Sequence, residues 1–372
     1  MSEDSFQPLD FYSPLEYKFD HRDGFTFNER WKFYRFQTQK TDTPACRNAC
    51  LDAAALACLR TCSPNRTAKA GTPARRHGHV IFQMMRRLTP VQGLTLFFLI
   101  GLILLALIFR GQILLWRSLL LRYTILLGLL FALKLSSDRK SLGKMGTFSY
   151  HFSPILFVIL IYESLGDLIQ YLQPDIDSYL IQIDFFIFGV HPTLWIEQWI
   201  VPWFTDMMSL AYLSYYFIPV VLIAVLYLKG QTVEFEQSIF VLAFGYYISF
   251  IGYILFPAIG PRYALTHLYT VPLEGSFITD FVRDTLNALE HNKRDCMPSG
   301  HTQLVLIVLY LAYRYKKFLF YLFLPIICGL ILSTVYLRYH YVIDLFAGAL
   351  FAVGCMIVGP RLYRHWNGEG GR

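Results

Sequence analysis

The chain has 372 residues, a formal charge of +7, and is 55% hydrophobic, 17% aromatic and 16% charged, with a mean hydropathy of +0.41. A soluble domain would struggle to hide that much apolar surface. The apolar residues are also gathered into long continuous runs, which excludes both a water-soluble globule and the alternating pattern of a β-barrel. The modest positive charge reports membrane topology before it reports a nucleic-acid partner, and none is expected.

Residues 1–90 are unlike the rest and read as a polar N-terminal extension. Residues 1–43 are polar and aromatic without a clear period. Cys46, Cys50, Cys58 and Cys62 then recur at helical spacing in an alanine-rich stretch. They are either a pair of CxxxC elements for disulfides or a metal, or incidental cysteines on a short helix; the closer CxxC pairs usual for zinc are absent. Met84 or Met85 is an alternative start, and no cleavable signal peptide is visible at the N-terminus.

Arg75, Arg76, Arg86 and Arg87 precede the first apolar run, residues 94–109, and a second covers 119–133. This extra hairpin, with the basic loop carrying Lys134, Arg139, Lys140 and Lys144, makes a segment of residues 91–150. A catalytic transmembrane domain is expected over 151–361, with a short basic tail at 362–372. Its first run, 152–172, contains Glu163 and Asp167. Asp167 near the end of the run suits snorkelling or helix pairing as well as function.

The loop 173–206 is acidic, with Asp175, Asp177, Asp184, Glu197 and Asp206. Its Trp195, Trp199 and Trp203 share one helical face, either at the headgroup layer or packed in a core. Further spans are expected at 207–228, 238–256, 298–313, 318–337 and 341–360, giving eight in all. Cys328 and Cys355 fall inside spans as inert packing residues. The fold class is therefore an all-α polytopic membrane protein, a six-helix core preceded by two extra transmembrane helices.

The positive-inside rule gives an orientation. With Arg86 and Arg87 inside, the basic loops at 134–144, Lys229, 314–317 and 361–364 are inside too. Both termini are then cytoplasmic. The acidic loop, Arg262, His301 and His340 face the periplasm, the exterior or an organelle lumen.

Three pieces meet on that outer face: Arg262 after the Gly260-Pro261 turn, the run Cys296-Met297-Pro298-Ser299-Gly300-His301, and the segment from Arg338 to Asp344. Arginine matches a phosphate with a fork of donors, which makes Arg262 and Arg338 candidate anion ligands. Ser299 and Gly300 open a helix whose free N–H groups favour an anion, and Gly300 allows close backbone approach. His340 and Asp344 are spaced to share a helix face, so the carboxylate can hold one imidazole nitrogen protonated and leave the other as nucleophile. His301 then protonates the leaving alkoxide and later deprotonates water or an acceptor hydroxyl. This chemistry requires no metal and no cofactor, because fixed arginines and amides stabilise the charge.

At these residues the chain resembles the type 2 phosphatidic acid phosphatase superfamily. Pro298-Ser299-Gly300-His301 matches its Pro-Ser-Gly-His motif, and Ser333, His340 and Asp344 match its last motif at the right intervals. The resemblance covers about residues 152–360. It implies a metal-independent mechanism with His340 as the nucleophile forming a phosphohistidine and His301 as acid and base. Two positions depart from the pattern: Thr334 stands where the family has arginine, with Arg338 one helical turn on, and Leu255 occupies the lysine position of the first motif. The turn at Gly260-Pro261-Arg262 and the run through Tyr339-His340-Tyr341 look more like the branch that includes inositol phosphorylceramide synthases; sphingomyelin synthases share a similar pattern.

The leading expectation is an integral-membrane lipid phosphatase acting on a lipid phosphate or diphosphate. The alternative is a phosphotransferase that passes a phospho-headgroup to a lipid alcohol by the same chemistry. The Ser-Gly-His form favours the first, the missing lysine the second. A non-catalytic lipid transporter or scramblase accounts for the spans but not for the His-Asp spacing.

Overall fold

The computed structural model describes residues 88–138, 143–289 and 292–368. These belong to the compact unit Gly71–Arg372. The cysteines at 46, 50, 58 and 62, the alternative starts and the arginine pairs before residue 88 lie outside the described residues, as do Arg139 and Lys140.

In chain order the α-helices are α1 (Pro90–Ile108), α2 (Trp116–Asp138), α3 (Gly143–Ile169), α4 (Asp177–Phe188), α5 (Pro192–Trp195), α6 (Pro202–Leu213), α7 (Ile218–Leu228), α8 (Thr232–Leu255), α9 (Pro261–Ala264), α10 (Thr279–Leu289), α11 (Gly300–Tyr315), α12 (Lys317–Tyr336) and α13 (Val342–Trp366). No strand occurs among the described residues. Six of the helices, α1, α2, α3, α8, α12 and α13, are long and apolar enough to cross a membrane. They leave side chains such as Phe97, Leu121, Phe318 and Leu350 exposed on their outer faces. Lipid, not water, is the solvent that tolerates such a surface. The protein is an all-α polytopic membrane protein.

The remaining expected spans take less regular forms. The single helix expected over 207–228 is instead α6, a 3₁₀ turn Ser214–Tyr216 and α7, bent by 43°. Pro219 in the first turn of α7 starts a new helix there, because its ring cannot continue the old one. The sixteen residues of α11 replace the span expected at 298–313. The acidic loop is itself helical: α4 and the segment Pro192–Trp199 meet at 64°. Its tryptophans do not share one helix, since the chain breaks before Pro202. All three are exposed, so they are not core packing.

Lys134, expected in the basic loop after the first hairpin, is a buried residue of α2 whose ammonium lies 5.3 Å from the Tyr150 ring centre. Asp167 of α3 pairs with Arg122 of α2 at 2.7 Å, which is the helix-pairing role.

At the centre of the bundle α11 packs against α8, α12 and α13. Its buried Gln303 ties it to α8, donating to the Gly245 carbonyl at 3.0 Å and accepting from Ser249 at 2.8 Å. Because α12 runs antiparallel between α11 and α13, the first turns of α11 and α13 lie at the same end. The reversal between α12 and α13 is tight. Arg338 adopts a left-handed φ of 65° there, a conformation that costs a side-chain-bearing residue about 1–2 kcal/mol.

Candidate active site

His301 sits in the first turn of α11, and His340 lies two residues before α13. Their rings face each other, with His301 Nδ1 3.2 Å from His340 Nε2. The pair lines a cavity of about 380 Å³ together with Tyr212, Arg262, Tyr263, Asn292, Lys293, Asp295, Cys296 and Tyr339. Tyr212 and Tyr215 flank the His301 ring, with centroids 4.6 and 4.3 Å away. His340 is buried.

The hydrogen bonds assign the tautomers. His340 Nδ1 is 2.9 Å from the carbonyl oxygen of Cys296, which can only accept, so Nδ1 carries the proton. Nε2 of His340 is then the lone-pair nitrogen, and His301 Nδ1–H donates across the 3.2 Å gap. Nε2 of His301 is buried without a hydrogen-bond partner among the described residues. A ring lone pair and a ring N–H thus face each other at the cavity wall.

Asp344 stands behind the His340 ring within ion-pair range, but not through the shared helical face that the four-residue spacing implied. Helix α13 begins only at Val342, so His340 is outside the helix and the two residues do not share a helical face. The Asp344 Oδ2 to His340 Nδ1 distance is 3.6 Å, beyond a hydrogen bond. That oxygen accepts instead from the Tyr341 N–H at 2.8 Å and the Cys296 thiol at 2.9 Å.

The candidate anion ligands separate. Arg262 reaches the cavity, its guanidinium 3.1 Å from the Tyr339 hydroxyl and stacked over the Tyr339 ring at 5.3 Å. Lys293 adds a second cation, 5.6 Å from the centre of the Tyr263 ring. Ser299 and Gly300 do not line the cavity. Ser299 is fully buried and caps α11, its hydroxyl accepting from the Thr302 N–H at 3.3 Å. A Cβ on Gly300 would strike the Tyr253 hydroxyl, so glycine there serves helix packing. Arg338 is also absent from the cavity wall. Its left-handed backbone turns the side chain to Glu197 at 2.8 Å, to the Val271 carbonyl at 2.7 Å and onto the Tyr269 ring at 3.8 Å.

The acids of the 173–206 loop were legible as a charge pattern but not as parts of a site. Asp184 accepts the N–H groups of Val342 at 2.8 Å and Ile343 at 2.9 Å, capping α13 from outside. Asp177 accepts from the Ile259 and Gly260 N–H groups at 2.9 Å and from the Tyr341 hydroxyl at 2.8 Å. That grip fixes the turn before Arg262, where Gly260 has φ +85° and a Cβ would lie 2.7 Å from the Tyr339 carbonyl. Asp206 accepts the N–H groups of Ser276, Phe277, Ile278 and Thr279 around the start of α10. Asp175 holds Arg294 at 2.6 Å, two residues before Cys296. The only hint in the sequence was a run of acids in a basic chain, on the side where the histidines lie.

Asp295 was also missed. It lines the cavity and accepts from the Tyr162 hydroxyl at 2.6 Å. Burial pushes its carboxyl above the ordinary range, opposed by that hydrogen bond. Burial likewise pushes the Cys296 thiol well up. Cys296, His340 and Asp344 offer ligand atoms within 4.8 Å of one another, close enough to share an ion, and here they are joined by hydrogen bonds.

The sequence model of the PAP2 superfamily matches residues 179–358. A PA-phosphatase related-family protein of Dictyostelium discoideum is 29% identical over 119 residues, 31% of this chain and 21% of that protein. The match therefore spans about a fifth of that relative's length. No solved structure gives a significant match. Over residues 179–358, which contain the histidine pair, Arg262 and Asp344, the chain is similar to the PAP2 superfamily.

Proposed function

We propose that the protein is a metal-independent lipid phosphatase acting on a lipid phosphate or diphosphate through a phosphohistidine. The observation that carries the reading is the 3.2 Å contact between His301 Nδ1 and His340 Nε2 on the wall of a cavity that also holds Arg262 and Lys293. The similarity to the PAP2 superfamily and to a PA-phosphatase related protein supports the same class of enzyme.

The His340 Nε2 lone pair attacks phosphorus, and the bond from phosphorus to the ester oxygen breaks. The electron pair leaves on that oxygen, which takes the Nδ1 proton of a His301 imidazolium formed beside the substrate's negative charge, leaving that ring neutral. Water then gives a proton to the same nitrogen and attacks phosphorus. The P–N bond breaks, phosphate is released and His340 is restored. Arg262 and Lys293 match the charge on the phosphoryl oxygens, and the guanidinium, stacked on Tyr339, is oriented before substrate arrives.

The site faces away from the cytoplasm in this reading. Supporting it, Arg314, Lys316, Lys317, Arg361 and Arg364 lie at the ends of α11, α12 and α13 opposite to His301 and Asp344. A second reading, transfer of a phospho-headgroup to a lipid alcohol, is favoured by Leu255 at the place of a phosphate-binding lysine.

The test is phosphate release by purified protein from phosphatidic acid and from a polyprenyl diphosphate, with EDTA present and His340→Ala alongside. Release by the wild type alone supports the phosphatase. No release from either substrate, with headgroup transfer once a lipid alcohol and phospholipid donor are added, makes the transferase the function. Equal release by His340→Ala overturns both.

A further inference from the structure

We infer that Cys296 is a positioning residue for the His340 nucleophile, its carbonyl fixing the ring proton and its thiol fixing the carboxylate behind the ring. The inference rests on the reading of His340 as nucleophile.

Two groups of one residue act on the same ring. The Cys296 carbonyl takes the Nδ1 proton at 2.9 Å. The thiol donates to Asp344 Oδ2 at 2.9 Å and stands 3.7 Å from Nδ1 itself. It also lies 3.3 Å from the Tyr339 carbonyl, next to His340 in the chain. The backbone is anchored independently, because the Cys296 N–H donates to the Ala258 carbonyl at 3.2 Å. Cys296 therefore joins the turn before Arg262, the start of α11 and the start of α13.

The thiol settles a competition for the Nδ1 proton. A carboxylate is the stronger acceptor and sits only 3.6 Å away. With its Oδ2 occupied by the Tyr341 N–H and the Cys296 S–H, it is held back from the ring, and the proton goes to the carbonyl. Burial keeps the thiol protonated and so available as a donor. Without the S–H, Oδ2 is free to move onto Nδ1, the ring rotates, and the Nε2 lone pair leaves its line to the cavity. Serine retains a donor at this position; alanine does not.

Orthovanadate tests this without knowledge of the lipid, since it accepts a histidine lone pair in the geometry of phosphoryl transfer. Its binding to the full-length protein in detergent, in a chelator-free buffer, is measured by titration calorimetry as a function of pH. The expected result is that Cys296→Ala binds vanadate about tenfold more weakly or worse, with a displaced pH profile, and that Cys296→Ser restores both. Cys296→Ala indistinguishable from wild type, or Cys296→Ser as weak as Cys296→Ala, overturns the inference. Vanadate that does not bind the wild type, or binds His340→Ala equally, overturns the nucleophile reading instead.

Should Cys296→Ala fail to fold, the infrared S–H stretch, identified by its loss in Cys296→Ser, decides. A band lowered in the wild type and raised in Asp344→Asn supports the thiol–carboxylate bond; a band at the free-thiol position overturns it.

Discussion

The carboxylate of Asp184 accepts the backbone N–H of Ile343 at 2.9 Å and that of its neighbour Val342 at 2.8 Å, across more than 150 residues of sequence. A side chain from the acidic loop therefore caps the helix that follows His340. Bonds to a charged acceptor contribute about 1.5–3 kcal/mol each. Asp184→Ala should lower the melting temperature in detergent and reduce turnover about tenfold or more by letting His340 drift. Asp184→Asn, which retains one acceptor oxygen, should fall between. Unchanged turnover in Asp184→Ala would show that the cap does not position His340.

Arg338 and Glu197 test whether an arginine next to His340 binds substrate or holds the chain. Both side chains are largely buried, and they meet at 2.8 Å. Removing one partner of a buried pair costs about 3–5 kcal/mol, because the other charge is left unpaired. Arg338→Ala should therefore destabilise the protein strongly, and Glu197→Gln in the same chain should recover part of the loss. A substrate ligand would behave in the opposite way, with KM raised and thermal stability intact.

Arg262 is the guanidinium that reaches the cavity, and its removal should appear in catalysis. Arg262→Ala should lower kcat/KM about 10²–10³-fold, the cost of losing one preorganised donor at a developing charge. Arg262→Lys should recover only part, because lysine lacks the planar fork and stacks poorly on Tyr339. Melting curves should barely move, since the Arg262 backbone N–H still donates to the Arg338 carbonyl.

Asp295 gives the protein a pH dependence of known sign. Burial raises its carboxyl in the folded state, so between the ordinary value and the raised one the folded chain binds more protons than the unfolded chain. Stability then falls as pH rises from about 4 through the raised value. Asp295→Asn keeps an acceptor for the Tyr162 hydroxyl and removes the charge. Its melting temperature should exceed that of the wild type more at about pH 8 than at about pH 5. Parallel curves for the two proteins would disprove the assignment.

Much of the architecture was legible because its causes are local. The runs that became α1, α2, α3, α8, α12 and α13 are long and apolar, and a membrane reads length and hydropathy directly. Less legible were the breaks at Pro192, Pro202 and Pro219, where hydropathy continues but the backbone cannot. His301 and His340 could be brought together on paper because one apolar hairpin returns its ends to the same side. Asp184, Asp177 and Asp206 gave no comparable sign, because their partners are backbone N–H groups, which no side-chain pattern marks.

By itself, the sequence determined that this is a helical membrane protein and that two histidines meet at one end of a hairpin, since segment length and chain reversal are enough for both. Only the tertiary structure decided which groups surround His340. The left-handed turn at Arg338 sends that arginine to Glu197, and the late start of α13 keeps Asp344 3.6 Å from the ring. The Cys296 carbonyl takes the proton in its place. A hydrogen bond is won or lost over a few tenths of an ångström, and such differences are set by how distant segments pack.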